Sequence, residues 1–267
     1  MLAVLAIWSF TQIRTRTLER ERHRLEEAVA ARSAELAQAN RELQEAALTD
    51  PLTGVRNRRF FQSTIQADAN QAIRDYSDAA HTTDHRDLIF YLADIDHFKE
   101  INDRFGHHAG DAALSCTAER LLRVVRSSDI LVRWGGEEFL IASRSADRKE
   151  GHILAERILK VMASEPLPLE GGGSIVRTCS VGFAAFPWNR HAPERVSVEE
   201  VLGLVDRALY MAKNAGRNMA IGFLPAQADD SDEIIKVDNH MIRVVRYAGP
   251  SLKAAEAASI SRATPVR

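Results

Sequence analysis

The chain has 267 residues, 45% hydrophobic and 27% charged, which is globular composition and not that of a disordered or membrane-embedded protein. Its 35 basic and 37 acidic residues leave a formal charge of -2, without the basic surplus that bulk nucleic acid demands, so no nucleic-acid partner is expected. The length holds one domain of about 150–200 residues with flanking pieces. Cys116 and Cys179 show neither metal-ligand nor disulfide-framework spacing, and read as buried thiols in a reducing compartment.

Residues 1–10 are apolar except for Ser9, and Arg14 and Arg16 follow. A spanning helix needs about 20 apolar residues, so this stretch does not cross a bilayer alone. It also lacks the basic start and small-residue cleavage site of a signal peptide. Two readings stand side by side. One is the cytoplasmic end of a longer transmembrane segment lying upstream, in keeping with the positive-inside pattern; the other is the apolar start of a helix.

Residues 15–47 contain neither Gly nor Pro, and Leu18, Leu25, Val29, Leu36 and Leu43 recur on steps of four and seven residues. Ala39 and Ala46 fill the same stripe, which Arg22 and Arg32 interrupt. Such a narrow apolar seam is stable mainly when paired, so residues 1–48 are expected to form a signalling helix in a parallel, dimeric coiled coil. Asp50-Pro51 ends it, because proline disfavours helical geometry in the residue before it.

An α/β domain is expected over residues 49–224. Residues 58–76 read as helix, 77–87 as a polar loop, and the apolar run 88–93 as a central strand covered on both faces. Helices follow at 98–105 and 112–125. Strands at 130–134 and 139–142 flank Gly135-Gly136-Glu137-Glu138, a hairpin signal. A helix around Leu154–Met162, a glycine-rich turn at 170–174 and a strand over 175–186 come next. Ser197 and Glu200 form a capping box for a further helix, which Gly216 closes, and residues 219–223 make a last strand. This order implies a mixed sheet with helices packed on it. The tail, residues 225–267, carries the acidic cluster Asp229, Asp230, Asp232 and Glu233; little order is expected there beyond a short strand at 241–245.

Two acidic pairs fall where chain geometry exposes them. Asp94 and Asp96 end the apolar strand, a common ligand position in α/β sheets, and Glu137 and Glu138 sit on the glycine hairpin. If the two elements are neighbours, their carboxylates converge, and hard divalent cations are the natural partners. Lys99 begins the next helix, where free N–H groups favour anions, and Lys213 and Arg217 lie around the end of the capped helix, where they suit phosphate. Asn102 and Asp111 flank the Phe105-Gly106-His107-His108 turn and offer an amide and a carboxylate to a base edge. Each signal is weak alone: strand-end acids are usually solvated, helix-end cations usually complement the dipole.

Several motifs in order change that balance. Leu92-Ala93-Asp94-Ile95-Asp96-His97-Phe98-Lys99-Glu100-Ile101-Asn102-Asp103, then Gly106-His107-His108-Ala109-Gly110-Asp111, then Gly135-Gly136-Glu137-Glu138-Phe139 resemble the GGDEF family of diguanylate cyclases. Asp50-Pro51-Leu52-Thr53-Gly54 with Asn57-Arg58-Arg59, and Lys213 with Gly216-Arg217-Asn218, resemble its entry and exit motifs. Glu137 stands where the family's name has Asp, which keeps the carboxylate on a longer arm. The resemblance implies a five-stranded, nucleotidyl-cyclase-like palm that condenses two GTP into cyclic di-GMP and two pyrophosphates.

By that resemblance, Asp94, Glu137 and the backbone carbonyl of Ile95 bind metal, two Mg²⁺ (or Mn²⁺) per half-site, with Glu138 assisting. Glu137 helps deprotonate the attacking 3′-hydroxyl and Lys99 stabilises the transition state. Lys213 and Arg217 hold phosphates, and Phe98, Asn102, His107 and Asp111 form the guanosine site. Arg126-Ser127-Ser128-Asp129 resembles the RxxD site through which cyclic di-GMP inhibits, with Arg157 as its partner. The resemblance also implies a homodimer, an upstream sensor beyond this chain, and a cytoplasmic setting, tethered to the bacterial inner membrane if the first of the two N-terminal readings holds.

Overall fold

The computed structural model describes residues 1–77, 85–169, 173–226, 233–237 and 240–251. The chain divides into two compact units, Met1–Ala47 and Leu48–Arg267. The first is a single helix, α1 (Leu2–Leu48), as a run without Gly or Pro from residue 15 onward requires. Of the expected seam, Leu25, Val29 and Leu36 are 66%, 65% and 70% exposed among the described residues. Leu18 and Leu43 carry side chains outside those described. Among the described residues no helix is long and apolar enough to cross a membrane.

The second unit is a mixed sheet between two helical layers. Its elements are β1 (Arg56–Asn57), α2 (Arg58–Ser77), β2 (Asp87–Ile95), α3 (Phe98–Phe105), α4 (His107–Val124), β3 (Ile130–Gly135), β4 (Glu138–Ala146), α5 (Gly151–Ser164), β5 (Leu167–Leu169), β6 (Gly173–Ile175), β7 (Cys179–Phe186), α6 (Val198–Asn214), β8 (Met219–Pro225), β9 (Glu233–Val237) and β10 (His240–Ala248). The main sheet runs β1-β3-β4-β2-β7-β8-β10-β9, and β5 pairs with β6 separately. The strands 130–135, 138–146, 87–95, 179–186 and 219–225 form the palm expected from the sequence.

Eight strands stand in place of the expected five. β1 adds two residues beside β3, too short a strand to be read from periodicity, and the β9–β10 hairpin adds two more beyond β8. The hairpin corrects the expectation of little order in the tail. β10 pairs with β8 from Ile242–Pro225 to Ala248–Met219, and Val237, Ile242 and Val244 are buried against the sheet. The strand expected at 241–245 therefore extends to 240–248. Asp229, Asp230 and Asp232 lie outside the described residues, as does most of the expected turn at 170–174.

Alternation along β2 sorts the core. Ile89, Tyr91, Ala93 and Ile95 face the layer that contains Phe98, Ile101, Leu114, Leu121, Ile158 and Met162 of α3, α4 and α5. Leu88, Phe90 and Leu92 face the layer built by Phe61 and Ile65 of α2 and by Val201, Leu204, Val205 and Leu209 of α6. All nine β2 residues are buried, as a run covered on both faces should be. Cys179 is buried, its thiol pushed up by desolvation; Cys116 is only partly buried, and neither is in a disulfide.

The capping box holds: the Glu200 N–H donates to Ser197 Oγ (3.2 Å) and the Ser197 N–H to Glu200 Oε2 (2.8 Å). It fixes the start of α6, which lies so close to β7 that a Cβ on Gly182 would sit 2.2 Å from the Val205 carbonyl oxygen and 2.3 Å from the Leu209 nitrogen. Replacing Gly182 with Ala must push α6 away from the sheet, and the expected loss is about 1–3 kcal/mol, read as a lowered urea midpoint. An unchanged midpoint would show that the helix is not held at this distance.

Candidate active site

The strand parity that sorts the core also aims the site. Asp94, two residues beyond Leu92, points to the α6 layer, and the β2–β4 register sets it directly opposite Glu138. The buried strand's end and the hairpin's tip are thus side by side, with Glu137 next along the turn. α6 supplies the counter-charge: Lys213 Nζ lies 2.7 Å from Asp94 Oδ2, with the Asp94 side chain 5% exposed.

One ammonium does not balance three carboxylates. Burial raises the Asp94 pKa to about 6; Lys213 opposes the shift, while the charges of Glu137 and Glu138 add to it. The Glu138 carboxyl is raised too, by burial first, with Lys213 and Arg58 opposing and Asp206 and Glu137 adding. The pocket therefore favours added positive charge. Among the described residues no three His, Cys, Asp or Glu side chains form a ligand cluster by themselves. What is present suits Mg²⁺, which takes one or two carboxylates and completes its shell with carbonyl, water and phosphate oxygens. Asp94, Glu137 and the carbonyl of Ile95, the last residue of β2, would hold it.

The hairpin is braced from outside. Gly136 is left-handed (φ 51°), and its carbonyl accepts from Arg133 Nε and a terminal nitrogen at 3.1 and 3.0 Å. The other terminal nitrogen of Arg133 reaches both oxygens of Asp50 at 3.2 Å. Asp50 also accepts from the Thr53 N–H (2.9 Å) and hydroxyl (2.7 Å). Burial works against its ionisation, yet these bonds and Arg133 keep the carboxyl below its ordinary value. The entry motif is thereby tied to the glycine turn, a link between residues 83 apart that the sequence did not disclose.

Asp96 shares the face of Asp94 but is consumed structurally. Its carboxylate accepts from the Thr178 hydroxyl (2.6 Å), the Ser180 hydroxyl (2.7 Å) and the Asn218 N–H (3.0 Å). It joins the start of β7 to the turn after α6. His97 then takes a left-handed conformation (φ 58°, ψ 33°), turning the chain into α3. Phe98 is buried beneath α3, and Lys99 projects from its exposed first turn.

The expected base-reading residues lie on the α3–α4 pair, joined at Gly106 (φ 85°). Asn102 is half-buried and packs against Gly110, where a Cβ would meet Asn102 Oδ1 at 1.9 Å. His107 opens α4 and Asp111 follows one turn later, both exposed. Arg217 is exposed just beyond α6.

A separate cavity of about 80 Å³ is lined by Arg126, Asp129 and Arg157 together with Tyr91, Ser143 and Glu150. Asp129 caps its own loop, accepting from the Arg126 N–H (2.8 Å) and the Ser143 hydroxyl (3.1 Å), while Arg157 approaches from α5. The two motif residues, Arg126 and Asp129, and the expected partner Arg157 thus line one cavity.

Comparison with known proteins agrees with this geometry. The family model described as diguanylate cyclase, GGDEF domain, matches residues 47–219. The chain is 38% identical over 172 residues to diguanylate cyclase DgcP of Pseudomonas aeruginosa, covering 64% of this chain and 23% of that protein. It is 35% identical over 169 residues to diguanylate cyclase DosC of Escherichia coli, covering 63% of this chain and 34% of that protein. The chain therefore spans between about a quarter and a third of these two curated relatives. Among solved structures, the coiled coil and GGDEF domain of DgcB from Caulobacter crescentus in complex with c-di-GMP matches with a TM-score of 0.63 and 27% identity, over 74% of this chain and 98% of that one. On this fold, these motifs and these matches, the chain belongs to the GGDEF family.

Proposed function

We propose that the chain is a diguanylate cyclase, which joins two GTP into cyclic di-GMP and releases two pyrophosphates. The observation that carries this reading is the register that sets Asp94 against Glu138, with Lys213 bridging to Asp94. In each half-reaction the 3′-oxygen of one GTP attacks the α-phosphorus of the other, the hydroxyl proton is lost, and the bond to pyrophosphate breaks. Bound Mg²⁺ or Mn²⁺, two per half-site, supplies Lewis acidity for the hydroxyl and neutralises triphosphate charge. Glu137, on the turn and partly exposed, is positioned to accept the hydroxyl proton, and Glu138 adds negative charge beside Asp94. Lys99 stabilises charge developing in the transition state. Lys213 and Arg217 hold the outer phosphates, so Lys213 exchanges part of its hold on Asp94 for phosphate oxygens. Asn102 and Asp111 read the guanine edge, with Phe98 beneath and His107 alongside; the carboxylate selects GTP over ATP because it accepts from the guanine N–H groups.

Each domain binds one GTP, so turnover needs two domains face to face, and the active species is a homodimer. The apolar line Leu25, Val29 and Leu36 on α1 is the pairing seam, and it raises the effective concentration of the two domains. A sensor upstream would act through this helix pair, and the cytoplasmic or membrane-tethered setting depends on that segment. The cavity of Arg126, Asp129 and Arg157 binds the product, since arginines pair bidentately with phosphate or a guanine edge.

Three outcomes test this reading. Asp94→Asn and Glu137→Gln should each lower the rate of cyclic di-GMP formation by about 100-fold or more, with the far-ultraviolet spectrum unchanged; an Asp94→Asn chain at full rate removes the case for catalysis. Arg126→Ala should abolish the slowing of the reaction by added product and leave initial rates near those of the parent. Replacing Leu25, Val29 and Leu36 by Gln should lower specific activity steeply on dilution, measured with sedimentation of the same samples; equal activity at every concentration would reject the helix seam.

A further inference from the structure

Beyond α6 the backbone adopts a shape that side chains disfavour. Gly216, Arg217 and Asn218 have φ of 117°, 64° and 49°, three consecutive left-handed residues, two of which carry a Cβ. Such a run persists only where the surroundings over-determine it. From one side the Arg217 N–H donates to the Ala212 carbonyl at 3.0 Å and the Asn218 N–H to Asp96 Oδ2 at 3.0 Å. From the other side the end of the C-terminal strand closes on it: the Gly249 N–H donates to the Asn218 carbonyl at 2.7 Å, and Asn218 Nδ2 to the Pro250 carbonyl at 2.8 Å. The approach at Gly249 is tight, since a Cβ there would lie 2.1 Å from Asn218 Oδ1 and 2.7 Å from its carbonyl oxygen. Gly249 and Pro250 lie outside the 47–219 stretch that matches the family.

We propose that Asn218, Gly249 and Pro250 are positioning residues that clamp the turn after α6, so that the end of the C-terminal strand aims Arg217 at the terminal phosphates of the nucleotide. This rests on the cyclase reading and adds a part to it. The turn is registered to the catalytic strand through Asp96, two residues beyond Asp94, and to the tail through β10. A backbone so fixed sets the direction of the Arg217 side chain before any ligand arrives, and less freedom is lost when phosphate binds. The C-terminal hairpin is thus part of the substrate site without touching substrate.

The full chain with Gly249→Ala is the test, read by amide exchange and by kinetics. The Asn218 amide should exchange about tenfold faster, the KM for GTP should rise roughly tenfold, and kcat should stay within about twofold, the pattern of binding lost equally from the ground and transition states. In an Arg217→Ala background the same substitution should leave KM where Arg217→Ala alone puts it, because the clamp acts only through that side chain. Asn218→Gly, which keeps the left-handed backbone and removes the bond to Pro250, should repeat the result with a smaller shift, and it carries the test if Gly249→Ala does not fold. Unchanged Asn218 exchange, or an equal rise in KM with and without Arg217, overturns the clamp while the parent chain still turns over GTP. A parent chain that makes no cyclic di-GMP overturns the cyclase reading and the clamp's purpose together.

Discussion

The ion pair of Lys213 with Asp94 is the contact on which the rest of the site depends. A carboxylate at the end of a strand buried on both faces has lost most of its hydration, and Glu137 and Glu138 stand beside it. An uncompensated charge in such a place is costly, so a cation must come from somewhere. α6 delivers it, and can do so only because its start is fixed by the Ser197–Glu200 box and its body lies against β7 at Gly182. Since Lys213 and Arg58 stand against Asp94, Glu137, Glu138 and Asp206, the pocket retains a demand for further positive charge, which is the electrostatic condition for holding a metal–triphosphate complex.

Much of the scaffold was legible because single physical rules acted strongly. The apolar run at 88–93 could be satisfied only as a central strand, the capping box marked the start of α6, and the glycine pair marked the hairpin. The site was less so. Asp94 and Asp96 are the same residue type two positions apart on one face, yet one faces the acidic pocket while Thr178, Ser180 and Asn218 absorb the other. Nothing local separates them; the difference lies in partners more than 80 residues away. The Arg133–Asp50 brace was hidden for the same reason. Lys99, Asn102 and Asp111 gave only weak signals by themselves, a helix-start cation and an amide with a carboxylate, and the family resemblance is what singled them out.

The strands Glu233–Val237 and His240–Ala248 exceed what was expected because their order is tertiary. Strand 240–248 contains three charged or His positions, His240, Arg243 and Arg246, and its apolar members mean little until β8 offers an edge to pair with. Once paired, Ile242 and Val244 fill the layer that α6 also covers, and the Gly249–Asn218 contact follows from the register of that pairing. Order in the tail and order in the turn after α6 are thus one cooperative fact.

The hairpin also alters how the molecule meets its neighbours. β8, with Ala220, Ile221, Gly222 and Phe223 buried, would otherwise present a nearly continuous apolar row with open backbone groups to any passing strand. β10 occupies that row, and the outermost position passes to β9, a five-residue strand with Glu233 and Lys236 and an ion pair to Arg246 (2.7 Å). A short charged border is a poor template for cross-strand growth. The family fold here carries its own guard against self-aggregation along the sheet edge.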